Sequence, residues 1–130
     1  VSYSISERPV FAQVMDMLKK AFSKIPDNTG LLLHSDQGWQ YRMSKYRKEL
    51  QQKGVRQSMS RKGNCLDNSV MENFFGLLKS ELLYLQDFAS LEDFKQKLEE
   101  YLDYYNNYRI KSKLNGLSPV QYRIQSARTA

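Results

Sequence analysis

The chain has 130 residues, 41% of them hydrophobic, with nine Tyr and six Phe, and this composition predicts one globular domain with a substantial core. One cysteine, Cys65, excludes an internal disulfide, and one histidine, His34, leaves no cysteine–histidine cluster for zinc, so any bound metal would have oxygen ligands. Neither a signal segment nor an apolar run of about 18 residues is present, which predicts a soluble, cytoplasmic protein. The first residues, VSYSIS, do not begin with Met and are typical of a strand, so we expect a fragment.

The net charge of +6 is unevenly distributed. Residues 42–62 hold eight bases against one acid, Glu49, which gives this stretch a balance of +7. A solvated helix face is one explanation of such a run, but bases that continue through a predicted strand into the loop sequence RKGN favour a strip that binds a polyanion. The bases are Arg42, Lys45, Arg47, Lys48, Lys53, Arg56, Arg61 and Lys62, and five more follow residue 105 without an acid.

The first half of the chain alternates predicted strands and helices. Residues 1–6 alternate apolar and polar side chains, which predicts a half-buried strand. Residues 7–25 have helical spacing, with Ser6 as the predicted N-cap and Pro26 as the stop. Short apolar or β-prone runs predict strands at residues 31–35 and 55–60, and a helix is predicted at residues 44–53, ending before Gly54.

Two long helices are predicted in the second half, after a loop at residues 61–66. The first has an apolar stripe that runs from Met71 to Leu85 at spacings of three and four residues. The second opens at Ser90, where the sequence SLED is a variant of the capping box. The tail NGLSPVQYR is predicted to be a loop followed by one short helix that begins at Pro119. Strands that alternate with helices predict an α/β layer fold.

A narrow polar strip accompanies the stripe of the first long helix. At 100° per residue, Asn68, Glu72, Gly76 and Lys79 lie close together beside the apolar face. Glu81 lies opposite Glu72 and is predicted to face solvent. A carboxylate with a lysine nearby on a helix is commonly a surface ion pair, so this strip alone does not indicate a functional Glu72.

A second acid, Asp36, follows the apolar run of residues 31–33. Because a buried strand carries its next residue to the carboxyl edge of the sheet, Asp36 and Glu72 would converge if the long helix crossed that edge. Two adjacent carboxylates repel unless a cation lies between them, and Mg²⁺ or Mn²⁺ prefers oxygen ligands. The nearby aromatic residues Trp39 and Tyr41 either stack on nucleobases or pack against the following helix.

Two segments resemble a known enzyme family. The pattern HSDQGWQY, then 35 intervening residues, then the glutamate of GNCLDNSVMENFFGLLKSEL is similar to the second and third acids of the DDE motif in insertion-sequence transposases and retroviral-type integrases. The tail YNNYRIKSKLNGLSPVQYR resembles the sequence that closes the catalytic core of the same transposases. We expect residues 1–123 to form a partial catalytic core and residues 124–130 a C-terminal tail.

The resemblance implies an α/β, RNase H-like fold: a mixed sheet flanked by helices, with the first strands missing and two long C-terminal helices. It implies metal-dependent cleavage and joining of DNA at transposon ends, with Mg²⁺ or Mn²⁺ in a two-metal site and a homo-oligomer as the assembly. Asp36 and Glu72 become catalytic residues and metal ligands. Asn68 supports the site, and His34 either orients backbone or DNA or has a purely structural role. The expected DNA-binding residues are Arg42, Lys45, Lys48, Arg56, Arg61, Lys62 and Lys79.

The first acid of the motif has no counterpart, because Asp16 lies in a predicted helix and Asp27 in a turn. We therefore expect two of three ligands, weak Mg²⁺ affinity and little or no cleavage by this chain alone. An alternative is a non-catalytic DNA-binding or dimerisation remnant of a truncated transposase, which the bases and the absent acid would also fit. A nuclease of RNA–DNA hybrids is a third reading, and its acids resemble these flanks less.

Overall fold

The computed structural model describes the backbone of residues 1–130 and every side chain except that of Cys65. Two compact units divide the chain, Val1–Glu72 and Asn73–Ala130. The helices and strands are α1 Phe11–Phe22, β1 Leu32–Ser35, α2 Ser44–Lys53, β2 Arg56–Met59, α3 Ser69–Leu78, α4 Leu91–Asn107 and α5 Pro119–Thr129. None of the described helices is both long and apolar enough to span a membrane.

The sheet of the first unit consists of β1 and β2, which pair in parallel with Leu32 opposite Arg56 and Ser35 opposite Met59. The mixed sheet expected for this fold is thus reduced to two parallel strands. The helix α2 connects them, as a parallel pair requires a crossover. Both strands and α2 lie within one or two residues of their predicted ranges.

The strand predicted at residues 1–6 is wrong, because this segment forms no strand. It runs along α1 instead: the hydroxyl of Ser2 donates to the carbonyl of Met17 at 2.8 Å, and the amide of Gln13 donates to that of Ser4 at 3.0 Å. Alternation of side chains favours an extended segment, but a strand also needs a neighbouring strand for its backbone hydrogen bonds.

The first helix begins later than predicted. Its N-cap is Val10, which offers no side-chain hydrogen bond. Ser6 does not cap it, because the Ser6 hydroxyl exchanges hydrogen bonds with the backbone of Arg8. A serine can close a local turn as readily as it can cap a helix, and here the turn forms.

The core of the first unit lies between α1, α2 and the sheet, and its buried members are Met15, Leu18, Tyr46, Leu50 and Val55. Tyr41 packs edge-to-face on Tyr46, with ring centroids 5.5 Å apart. Packing against the helix that follows is therefore found for Tyr41. Trp39 remains 53% exposed, and its ring lies near that of Phe11 on α1, with ring centroids 6.3 Å apart.

The second unit is helical. After Leu78 the chain changes to a π-helical turn, Lys79–Leu83. The Ser90 hydroxyl accepts the backbone N–H of Asp93, and the Asp93 carboxylate accepts that of Ala89, so the predicted capping box is present in variant form. Pro119 opens α5 behind a capping box of Ser118 and Gln121.

The prediction that Glu81 faces solvent is wrong. Its side chain is 31% exposed and forms an ion pair with Arg109, whose Nη2 lies 2.6 Å from Oε1. The Tyr101 hydroxyl donates to Oε2 at 2.7 Å. A π-helical turn contains more residues than an α-helical turn, so the spacing of 100° per residue no longer holds from Lys79 onward.

Candidate active-site cleft

An open cleft of about 380 Å³ lies in the first unit, where β1 and β2 end and α3 begins. Its lining includes both predicted acids, Asp36 and Glu72, and three further predicted residues, Arg61, Lys62 and Asn68. Other lining residues, not predicted, are Gln37, Ser60, Gly63 and Asn64. The structure thus brings together two acids that are separated by 35 residues in the sequence.

The Asp36 carboxylate is oriented by the residue two positions later. Its Oδ1 accepts the backbone N–H of Gly38 at 2.8 Å. A Cβ atom on Gly38 would lie 2.9 Å from that oxygen, so only glycine allows this close approach without displacing the carboxylate. The negative charge of Asp36 adds to burial in raising the pKa of Tyr41. The carboxylate of Asp36 is therefore held in an exposed position at the cleft.

Ser60 joins the end of β2 to the end of β1 and is 6% exposed. Its backbone N–H donates to the carbonyl of Ser35 at 2.8 Å, and its own carbonyl accepts the side-chain amide of Gln37 at 3.0 Å. Asp36 therefore lies between two residues that are both anchored to Ser60. Sequence reasoning missed this role, because nothing distinguishes Ser60 from other polar residues in a strand.

The ring of His34 lies between two hydroxyls of the neighbouring strand. Its Nδ1 is 3.0 Å from Oγ of Ser58, and its Nε2 is 3.1 Å from Oγ of Ser60. Because the Ser60 hydroxyl also lies 3.3 Å from the Ser35 carbonyl as a donor, it can accept from an Nε2–H tautomer. Both ring nitrogens thus have side-chain hydroxyl partners on β2 and the residue after it, and a contact of His34 with DNA stays a prediction.

The loop between β2 and α3 forms one wall of the cleft. Asp67, near the end of this loop, is hydrogen-bonded to Arg61 at its start. Its carboxylate accepts the backbone N–H of Arg61 at 2.8 Å and that residue's Nε–H and Nη2–H at 3.0 and 2.9 Å. These hydrogen bonds from Arg61 lower the pKa of Asp67 to about 2. Sequence reasoning did not single out Asp67, because its contact with Arg61 depends on the path of the loop between them.

Glu72 lies in the first turn of α3, and Asn68 ends the 3-10 turn that precedes this helix. The Glu72 side chain is exposed and forms no ion pair with a described residue of the first unit. Its carboxylate is thus available to a ligand from the cleft.

Most of the other predicted DNA-binding residues lie outside the cleft. Arg42 ends a 3-10 turn, Lys45 and Lys48 lie on α2, and Arg56 begins β2. All four side chains are exposed, and none of them lines the cleft. Lys79 belongs to the second unit, where it begins the π-helical turn with its side chain exposed.

The donor set of the cleft fits a hard divalent cation. Asp36 and Glu72 offer carboxylate oxygens, and the amides of Gln37, Asn64 and Asn68 add neutral oxygens, the ligand type that Mg²⁺ and Mn²⁺ prefer. Among the side chains that the structure describes, no group of three or more acids, histidines or cysteines could hold a metal. The cleft therefore supplies two carboxylates.

Two family models described as "Integrase core domain" match the chain, one over residues 1–65 and the other over residues 72–127. The chain is 54% identical over 126 residues to InsK, the transposase assigned to insertion sequence element IS150 in Escherichia coli (strain K12). This match covers 97% of the chain and 44% of that relative. An uncharacterized transposase-like protein of Haemophilus influenzae is 48% identical over 97% of the chain and 58% of its own length. The chain thus spans about half the length of these relatives.

The fold is similar to that of a solved integrase. The catalytic core domain of BIV integrase matches with a TM-score of 0.70 and 22% identity, over 95% of this chain and 77% of that one. This similarity shows an RNase H-like α/β fold. Because the first family model matches residues 1–65, half of the chain, the chain belongs to the integrase core domain family.

Proposed function

We propose that the chain is the core of a DNA transposase that cleaves and joins DNA strands at transposon ends as part of a longer protein. The observation that carries this proposal is the cleft in which Asp36 and Glu72 lie together, bordered by Arg61 and Lys62. The family supports it, since the relatives include proteins named as transposases.

The two acids would hold a divalent cation. Bound Mg²⁺ or Mn²⁺ would supply activation of the attacking oxygen and stabilisation of the leaving oxygen at a DNA phosphodiester. Asp36 would bind with a carboxylate that Gly38 has already oriented, which lowers the entropy lost on binding. Because the described side chains offer no third ligand of this type, we expect weak affinity and little or no cleavage by this chain alone.

The exposed basic side chains would contact DNA phosphates. Arg42, Lys45 and Lys48 follow one another along the chain after Asp36, and Lys62 lies at the cleft itself. Contacts of this kind carry little sequence information, and each makes the slope of log K against log salt more negative by about 0.9. Recognition of particular transposon ends is then assigned to other parts of the longer protein.

The direct test is Mn²⁺ binding, followed by electron paramagnetic resonance of the free ion. We expect Asp36→Asn and Glu72→Gln each to weaken binding by about tenfold or more. Glu99→Gln is the matched control, since it removes one exposed carboxylate on α4 in the second unit and should leave affinity unchanged. Equal affinities for all four proteins would contradict the proposed metal site.

A second measurement concerns catalysis. Nicking of supercoiled DNA in Mn²⁺ should be absent or weak for this chain. Strong nicking that both Asp36→Asn and Glu72→Gln abolish would refute the expectation of an incomplete site, while retaining the two acids as its ligands.

One alternative has an observation in its favour: Arg42, Lys45, Lys48 and Arg56 are exposed outside the cleft. A non-catalytic module for DNA binding or dimerisation would need those bases and not the acids. It predicts that DNA affinity is independent of Mn²⁺ and of Asp36 and Glu72, and that sedimentation reveals a dimer whether or not metal is present.

A further inference from the structure

Asp67 makes more polar contacts than any function proposed above requires. Its carboxylate accepts three hydrogen bonds from Arg61, from the backbone N–H at 2.8 Å, Nε–H at 3.0 Å and Nη2–H at 2.9 Å. A fourth comes from the side-chain amide of Asn64 at 3.3 Å. The Asp67 side chain is 21% exposed, compared with 76% for Arg61. The acid is thus enclosed by the loop that it closes.

These contacts fix the shape of the loop wall. The fork geometry of a guanidinium and a carboxylate restricts both side chains, and the backbone hydrogen bond ties the start of the loop to its end. Within the loop, Asn64 also accepts the backbone N–H of Leu66 at 3.2 Å. The cleft-lining residues Lys62, Gly63 and Asn64 lie between the two ends that the Arg61–Asp67 pair joins.

The Arg61–Asp67 ion pair also determines which basic side chain of the cleft, Arg61 or Lys62, is available to an anion. Two of the guanidinium nitrogens of Arg61 already donate to Asp67, and the pair has no net charge. Lys62 lines the same cleft and forms no ion pair with any described residue. A phosphate at this rim would therefore gain more from Lys62 than from Arg61.

We propose that Asp67 is a positioning residue for the cleft: it holds Arg61 within the loop as a structural partner, and so leaves Lys62 as the phosphate-contacting base at this rim. The proposal rests on the proposed function, because it assumes that DNA phosphates enter the cleft. It would give Arg61 a structural role in place of the DNA contact expected from the sequence.

The first experiment uses the 130-residue chain without DNA. Proton exchange at the residue-61 backbone N–H is followed by NMR in the parent chain and in the Arg61→Lys and Asp67→Asn variants, and exchange at the Arg61 Nε–H in the parent chain and in Asp67→Asn. Asp67→Asn replaces the carboxylate that accepts the residue-61 backbone N–H. Arg61→Lys keeps the charge but loses the guanidinium fork that holds this carboxylate in place. Both variants should therefore accelerate exchange at this backbone N–H at least about tenfold. Unchanged exchange in both variants would overturn the positioning role.

The second experiment measures binding of a DNA duplex by fluorescence anisotropy at several salt concentrations. Lys62→Gln should make the negative slope of log K against log salt less steep by about 0.9. The double variant with Arg61→Gln and Asp67→Asn removes a neutral pair and should retain the parent slope. A loss of steepness in the double variant equal to that of Lys62→Gln, with a further equal loss when Lys62→Gln is added to it, would identify Arg61 as a phosphate contact and overturn the proposal.

The two experiments separate the two proposals. If the parent chain binds no DNA, the proposed function and the role of Lys62 both fail. The exchange rates still decide whether Asp67 holds the loop, because they are measured without DNA.

Discussion

The backbone N–H of Gly38 donates a 2.8 Å hydrogen bond to Oδ1 of Asp36, and no room for a Cβ atom remains between them. The φ angle of Gly38 is −52°, which any residue can adopt, so the glycine is required by space and not by backbone conformation. The contact links a sequence feature, the glycine of HSDQGWQY, to the orientation of a candidate metal ligand.

Gly38→Ala should therefore affect the site more than the fold. The new methyl group would displace the flexible end of an exposed side chain, so we expect the free energy of unfolding to change by less than about 1 kcal/mol. Mn²⁺ affinity should fall about tenfold, as for other losses of a group that orients a ligand. Gly76→Ala, with nothing within 4 Å of its Cβ, is the control and should leave affinity unchanged. Equal affinity in both variants would contradict the orienting role.

Gly54→Ala should destabilise the first unit strongly. Gly54 ends α2 with φ +76°, and a Cβ atom there would lie 2.7 Å from Cα of Asn28, which is backbone and cannot move aside. The left-handed conformation costs about 1–2 kcal/mol, and the clash should bring the loss to about 3 kcal/mol or more. Urea unfolding measures both changes. Gly30→Ala separates the two effects, since Gly30 has φ +68° and no neighbour within 4 Å, and should cost only the first.

Arg109→Leu should destabilise the second unit. Arg109 donates from Nε and Nη2 to Glu81, and the two side chains are only 19% and 31% exposed. Removing one partner leaves a partly buried charge, for which we expect a loss of about 1–3 kcal/mol in thermal or urea unfolding. The exposed pair of Lys20 and Asp16 provides the comparison, and Asp16→Asn should cost less stability than Arg109→Leu. Equal losses at both sites would show that enclosure contributes nothing.

Acid should open the loop at Asp67. Hydrogen bonds from Arg61 hold the pKa of Asp67 at about 2, below its ordinary value of 3.8. Since the folded-state pKa is the lower one, the contribution of Asp67 to stability is complete above about pH 4 and is lost as the pH falls towards 2. The carboxyl ¹³C shift of Asp67 should titrate with a midpoint near 2 in the parent chain and higher in Arg61→Gln. A midpoint near 3.8 in the parent chain would mean that the pair does not form in solution.

The sequence predicted those parts of the fold that local chemistry controls. The helix at Ser44–Lys53 has its predicted bounds because Gly54 readily takes the left-handed conformation that ends a helix. Ser90 caps α4 because its hydroxyl lies within reach of a backbone N–H three residues later. Asp36 reaches the cleft because the residue after a strand lies at the carboxyl edge of the sheet, although β1 is not the buried strand that its apolar run predicts, since Leu32 is 55% exposed.

The sequence could not predict parts of the chain whose state depends on distant partners. Residues 1–6 have a strand pattern, but no strand lies beside them, and they run along α1. The environment of Glu81 depends on Arg109, 28 residues away, and on the π-helical turn that redirects its side chain.

By itself, then, the sequence determined the family, the bounds of α2, the cap of α4, the positions of β1 and β2 and the pair of acids, because motifs, caps and periodicity act over a few residues. Only the tertiary structure decided that Asp67 engages Arg61, that Ser60 anchors both neighbours of Asp36 and that His34 lies between two hydroxyls. Polar side chains such as these have several possible partners along the chain, and the backbone path determines which of them comes within about 3 Å.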